Sequence, residues 1–109
     1  MDRQEFVRLS DACLEQVGRF AEGFDPDELD YSTQDGVVSL EFADGVRFVL
    51  NRQAPSSQMW YAAGARAWHY GWNASSETWL DDRDGHELLA NVGRTVSEKL
   101  GRKVELPAG

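Results

Sequence analysis

The 109-residue chain has one cysteine, so Cys13 can form neither an internal disulfide nor half of a paired-cysteine metal knuckle. That usage suits a reducing compartment. No apolar run approaches the roughly 20 residues a membrane-spanning helix needs, and the N-terminus is charged from Asp2 onward instead of basic and then apolar. The expectation is a cytoplasmic protein, neither inserted nor secreted. Lysine and arginine are absent between Phe20 and Val46, and the one basic cluster is Arg102 with Lys103. A phosphate backbone needs more neutralising charge than that, which excludes nucleic acid as an expected partner. The two histidines, His69 and His86, share no metal-ligand spacing. There is no glycine-rich phosphate loop, internal repeat or low-complexity segment. No nucleophile stands beside a base, because Cys13 falls on an apolar helix stripe, so the chain reads as non-catalytic.

What the chain does have is acid. It carries 19 Asp and Glu against 11 Lys and Arg, a formal charge of −8. The imbalance is confined to the first half: residues 1–50 hold 12 acids and 4 bases, whereas residues 51–109 hold 7 of each. Eight acids (Glu22, Asp25, Asp27, Glu28, Asp30, Asp35, Glu41 and Asp44) lie in the stretch without a base. A negative field on one side attracts cations or basic protein surfaces. With 41% hydrophobic residues, one core suffices for a single domain over 1–109, ordered to about 106, with 107–109 a loose tail.

Phe6, Leu9, Cys13, Val17, Phe20 and Phe24 recur at helical spacing, and Asp2 with Glu5 makes a capping box, which predicts a helix over 3–24. Asp11, Glu15 and Glu22 fall nearly opposite that stripe, as a solvent-facing acidic line. The Asp25-Pro26-Asp27 break leads to a short acidic edge strand at 30–33. Turns at Asp35-Gly36 and Asp44-Gly45 frame two strands, one with Val38, Leu40 and Phe42 inward, the other with Val46, Phe48 and Leu50 inward. Three more strands are expected at 58–62, 67–72 and 77–80. In the second of these, Trp68, Tyr70 and Trp72 read as core and His69 as solvent-facing; the third is too short to fix the face of Trp79. Asp84, with Glu87 three positions on, caps a second helix bearing Leu88, Leu89, Val92, Val96 and Leu100 and ending at Gly101. The expected fold is an α+β two-layer sandwich, with N- and C-terminal helices on one face of a five- to six-stranded antiparallel sheet.

Two surfaces carry chemistry. Carboxylate oxygens are hard ligands for hard cations, but these acids form no calcium-loop pattern, and Arg8 and Arg19 sit at i+3 or i+4 spacing from some of them. Weak, exchangeable metal sites are the most that composition supports. The uncovered sheet face brings Arg47, Val49 and Asn51 beside Gln58 and Trp60, and a solvent-facing tryptophan among Asn, Gln and Arg has the composition of a docking hot spot.

The stretch Asn51-Arg52-Gln53-Ala54-Pro55-Ser56-Ser57-Gln58-Met59-Trp60 closely resembles the signature of the frataxin family. The likeness extends to Glu5-Phe6, Arg8-Leu9, Phe42-Ala43-Asp44-Gly45, Trp68-His69-Tyr70 and Trp79 leading to Asp82-Arg83-Asp84-Gly85, nearly the whole chain. It is similar above all to bacterial members. The resemblance implies the same sandwich and an iron-binding regulator of iron–sulfur cluster assembly, which meets a cysteine desulfurase through an acidic ridge and the cluster scaffold protein through the sheet. Carried onto this chain, the ridge is Glu22, Asp25, Asp27 and Asp30, with Glu28 nearby as a further iron ligand. Asn51, Gln53 and Trp60 match sheet positions used for partners. A monomer is expected, with iron-driven oligomers as the alternative. The chain departs from the family where members often place paired glutamates one turn before Glu22: here stand Gly18 and Arg19. Arg19 repels a cation and is placed to bridge to Glu15 or Glu22, which shifts expected iron binding toward the loop and edge-strand acids. Two rival readings are a protein-binding module that needs no metal and an iron storage or oxidation protein.

Overall fold

The computed structural model describes residues 1–106, so the expected loose tail at 107–109 lies outside the described residues. The order is α1 (Arg3–Glu22), six strands β1 (Leu29–Gln34), β2 (Val37–Phe42), β3 (Arg47–Gln53), β4 (Gln58–Ala63), β5 (Arg66–Asn73) and β6 (Thr78–Asp81), then α2 (Leu88–Leu100). A short 3₁₀ turn, Ala54–Ser56, joins β3 to β4. The strands pair with their sequence neighbours only, all antiparallel, in the order β1-β2-β3-β4-β5-β6. With no crossover, both helices pack on one face of an open sheet, as expected from the terminal amphipathic segments. No helix among the described residues is long and apolar enough to cross a membrane.

Period-two alternation sets the core. Val38, Leu40 and Phe42 of β2, Phe48 and Leu50 of β3, and Met59, Tyr61 and Ala63 of β4 are all buried beneath the helices. Trp79 of β6 is buried too and meets Phe6 of α1 edge-to-face with ring centroids 6.1 Å apart. Polar anchors hold α2 to the sheet: the hydroxyls of Tyr61 and Thr95 lie 2.7 Å apart, and Asn91 Nδ2 donates to Tyr70 Oη at 2.8 Å. Burial pushes both tyrosine hydroxyls above their ordinary range.

At the front of α1, Asp2 accepts a hydrogen bond from the Glu5 N–H at 2.8 Å, the N-terminal half of the expected box. The helix ends at Glu22, where Gly23 and Phe24 donate back to Phe20 and Ala21 before the chain reaches Pro26. Its buried face is rotated from the large-residue stripe: Ser10, Leu14, Gly18 and Ala21 lie underneath with Phe6, Cys13 and Val17, while Leu9, Phe20 and Phe24 are partly buried at the margin. Small and polar residues can sit under a helix where the backbone comes close to the sheet.

The second helix corrects its expected cap. Asp84 does not cap α2; Glu87 is the N-cap, its carboxylate accepting from Leu89 N at 2.7 Å and Ala90 N at 3.0 Å. The chain remains extended until Glu87 because that residue bridges to Leu80 of β6, and Gly85 takes a positive φ of 77° to turn the chain there. Asp84 instead accepts from its near neighbour His86. After Gly101 the chain folds back on α2, with Val104 N donating to Ser97 Oγ at 2.9 Å and Leu106 buried.

Leu40→Ala, at a side chain 1% exposed, should cost about 2–5 kcal/mol in urea unfolding. Gly18→Ala should stabilise by up to about 1 kcal/mol, because an added Cβ would meet Tyr31 Cε2 at an ordinary 3.8 Å. Unchanged or lower stability in the second variant would mean that the helix needs glycine there for approach.

Candidate functional site: an acidic ridge and an uncovered sheet face

The expected ridge acids lie at the C-terminal end of α1, along the loop and on β1, an edge strand. All but Glu28 are fully exposed, and Glu28 is half-buried. Their partners divide them. Asp11 and Asp35 share Arg52, whose guanidinium donates to Asp11 Oδ1 at 2.6 Å and Asp35 Oδ1 at 2.9 Å. Glu15 pairs with Arg19 at 3.7 Å, and Glu41 with Arg47 at 3.3 Å. Glu28 is gripped by both terminal nitrogens of Arg102, one of them at 2.8 Å. Among the described residues, Glu22, Asp25, Asp27 and Asp30 have no ion-pair partner at all.

What those four do accept is weaker. Tyr31 Oη donates to Glu22 Oε1 at 2.6 Å, which holds the tyrosine hydroxyl above its ordinary range. Asp25 Oδ1 accepts from Asp27 N, fastening the loop as an Asx turn, and Asp30 accepts from Tyr31 N. Across the sheet edge Asp30 faces Glu41, a like-charge pair that Arg47 relieves on the Glu41 side only. Arg19 therefore takes up Glu15 and leaves Glu22 free of it, while Gly18 merely lets Tyr31 lie close to the helix.

Iron fits this set by chemistry, since exposed, uncompensated carboxylates are hard donors. It does not meet a cage: among the described residues the one group of three potential ligands with mutually close atoms is Asp81, Asp84 and His86, none of them on the ridge. Glu28 stands apart from the others because Arg102 already occupies both its oxygens.

The uncovered face is built by strand register. Asn51 of β3, Trp60 of β4 and His69 of β5 form one row across three strands, with Gln53 and Gln58 aligned in the next. Trp60 is half-buried, its indole stacked on the His69 ring at 4.2 Å with planes 14° apart, and its Nε1 donates to Gln58 Oε1 at 3.0 Å. The sheet thus brings Asn51, Gln53 and Trp60 together and adds His69 and Gln58, which hold the indole flat. His69 does face outward, as expected. Its contact with Trp60 was legible in principle, because the two-residue turn at Gly64 and Ala65 sets the β4–β5 register.

Cys13 takes no part. It is buried, and loss of solvation pushes its thiol up to about 12, which makes it a core side chain without reactivity.

Acid should reveal the charge pairs of the rim. Arg102 beside Glu28, and Lys99 beside Asp44, hold these carboxyls below the usual range. A depressed folded value stabilises above the ordinary carboxylate pKa and is lost as pH falls through the folded value. The Glu28→Gln, Asp44→Asn double variant should therefore lose less stability than the native chain between about pH 5 and pH 3, followed by urea unfolding. Equal acid slopes would show that the two pairs contribute nothing.

Residues 1–102 match the family model described as "Frataxin-like domain". The chain is 39% identical over 79 residues to "Iron-sulfur cluster assembly protein CyaY" of Thioalkalivibrio sulfidiphilus, covering 72% of this chain and 74% of that one. It is 33% identical over 107 residues to the protein of that name from Dechloromonas aromatica, covering 97% and 99%. Among solved structures, frataxin from Psychromonas ingrahamii, studied for stability modulation within the CyaY family, superposes with a TM-score of 0.87 at 27% identity, covering 98% of this chain and 99% of that one. With sequence, signature and fold in agreement from end to end, the chain belongs to the frataxin family, in its bacterial CyaY group.

Proposed function

We propose that the chain serves iron–sulfur cluster assembly in the cytoplasm, as a non-catalytic regulator that docks on a cysteine desulfurase by charge and binds iron weakly. The observation that carries this reading is the division of the acids on this side of the molecule: Asp11, Glu15, Glu28, Asp35, Glu41 and Asp44 each have a basic partner within the chain, and Glu22, Asp25, Asp27 and Asp30 are left as one exposed group without one. Complementary charge of that kind steers association and sets its salt dependence. Iron, as Fe²⁺ or Fe³⁺, would be held by the same four carboxylates, exchangeably, so that occupancy competes with or tunes docking. The patch of Asn51, Gln53 and Trp60 offers a second surface, suited to the scaffold protein: a flat indole with its polar edge already satisfied, flanked by the side-chain amides of Asn51 and Gln53.

One observation favours a second reading, a protein-binding module whose action needs no metal. No three ridge carboxylates converge on a point, and charge complementarity requires no convergence.

The test is binding to purified cysteine desulfurase at low and raised salt, comparing native chain with the Glu22→Gln, Asp25→Asn, Asp27→Asn, Asp30→Asn variant. Affinity should fall by about tenfold or more at low salt, and the salt dependence should flatten. Binding that survives neutralisation would move the interface to the Trp60 face and leave metal as the role of the acids. Iron titration of the two proteins then separates the readings: a variant that loses docking while iron has no effect on native docking supports the metal-free module.

A further inference from the structure

The turn between β6 and α2, at the sheet edge opposite β1, gathers a donor set that the ridge lacks. One ligating atom each from Asp81, Asp84 and His86 lies within 4.8 Å of the other two. Asp81 is only 6% exposed. Its Oδ2 accepts from Arg83 N at 2.9 Å and Asp84 N at 3.0 Å, and its Oδ1 is buried with no hydrogen-bond partner among the described residues. A buried carboxylate oxygen left unsatisfied is expensive, and a cation is the group that satisfies it best.

The histidine is held for the same purpose. His86 Nε2 lies 2.7 Å from Tyr70 Oη, which is itself fixed by Asn91 Nδ2, and Trp68 meets the ring edge-to-face. The other ring nitrogen, Nδ1, is 2.5 Å from Asp84 Oδ1. An imidazole anchored through one nitrogen while the other faces carboxylates is the outer-shell arrangement of a metal-ligating histidine. A cleft of about 440 Å³ is bordered by Trp68 and by two of the three, Asp84 and His86. Arg94 also borders it, but its guanidinium is engaged by Asn91 Oδ1 at 2.5 Å and Glu98 Oε2 at 2.9 Å.

We propose that Asp81, Asp84 and His86 form a metal site separate from the ridge, for a divalent cation of borderline softness such as Zn²⁺ or Co²⁺. Two carboxylate oxygens and one imidazole nitrogen supply three ligands; the ion enters as Asp84 Oδ1 and His86 Nδ1 move apart, and the proton they share is released to solvent. The site stands independently of the ridge and of its proposed role.

Zn²⁺ titration calorimetry and Co²⁺ absorption on the full chain test it. The native chain should bind one equivalent at this site, and Asp81→Asn and His86→Gln should each weaken that step at least tenfold. The four-residue ridge variant should retain it. Should Asp81→Asn fail to fold, Asp84→Asn and His86→Gln decide. Zn²⁺ affinity unchanged in His86→Gln, or lost in the ridge variant while these residues are intact, overturns the proposal.

Discussion

Both terminal helices lie on the same face of the sheet between them, and much else in this molecule depends on that one-sided cover. Six strands paired strictly in sequence order leave no crossover to carry a helix to the far side. One face is therefore dry, with Leu40, Leu50, Met59 and Tyr61 nearly inaccessible, and the other must stay polar enough to remain wet. The dry layer is not purely apolar. Tyr61 and Tyr70 reach Thr95 and Asn91, so hydroxyl and amide groups, not shape alone, fix where α2 rests across the strands.

With both layers committed, charge has to go to the rim, where it is sorted. Arg52 is the clearest instance. It extends from β3 against the Gly36 turn, where an added Cβ would come within 2.8 Å of its Nε, and reaches Asp11 on α1 and Asp35 in the turn. One guanidinium thus joins helix, hairpin and central strand. Lys99 in the last turn of α2 and Arg102 just past its end repeat the device, tying that end of the helix to Asp44 and to Glu28. Pairs at an exposed rim are individually modest, but they decide which acids remain available to a partner.

Much of the architecture was readable from residue spacing because one-sided burial imposes it: Val38, Leu40 and Phe42 alternate with residues that face water, and no other pattern would bury them together. The α1 face was read less well, since Ser10 and Gly18 carry no apolar signal and are buried by proximity to Tyr31 and the sheet. The cap of α2 is not legible locally, because Asp84 and Glu87 both suit the role, and only the bridge from Glu87 to Leu80 decides between them. The ridge was legible as composition and as family resemblance. Which of its members are free was not, because Arg52 lies 41 residues from Asp11, and Arg102 lies 74 from Glu28. The stacking of Trp60 on His69, and the gathering of Asp81, Asp84 and His86, are likewise products of register and turn geometry.

The unpaired state of Glu22, Asp25, Asp27 and Asp30 also sets how this rim responds to substitution. These acids make no ion pair and repel one another, and the hydrogen bonds they accept come from near neighbours alone, so a change at one of them removes a local bond at most and leaves every salt bridge of the rim intact. Arg52 has no such liberty: it stands between Asn51 and Gln53, in the same strand that presents the uncovered face, and its own side chain clamps the helix on the opposite one. Substitution at Arg52 therefore disturbs the helix through the very strand that carries Asn51 and Gln53 on its other face, whereas substitution among the ridge acids alters the charge of the rim and leaves its clamps in place.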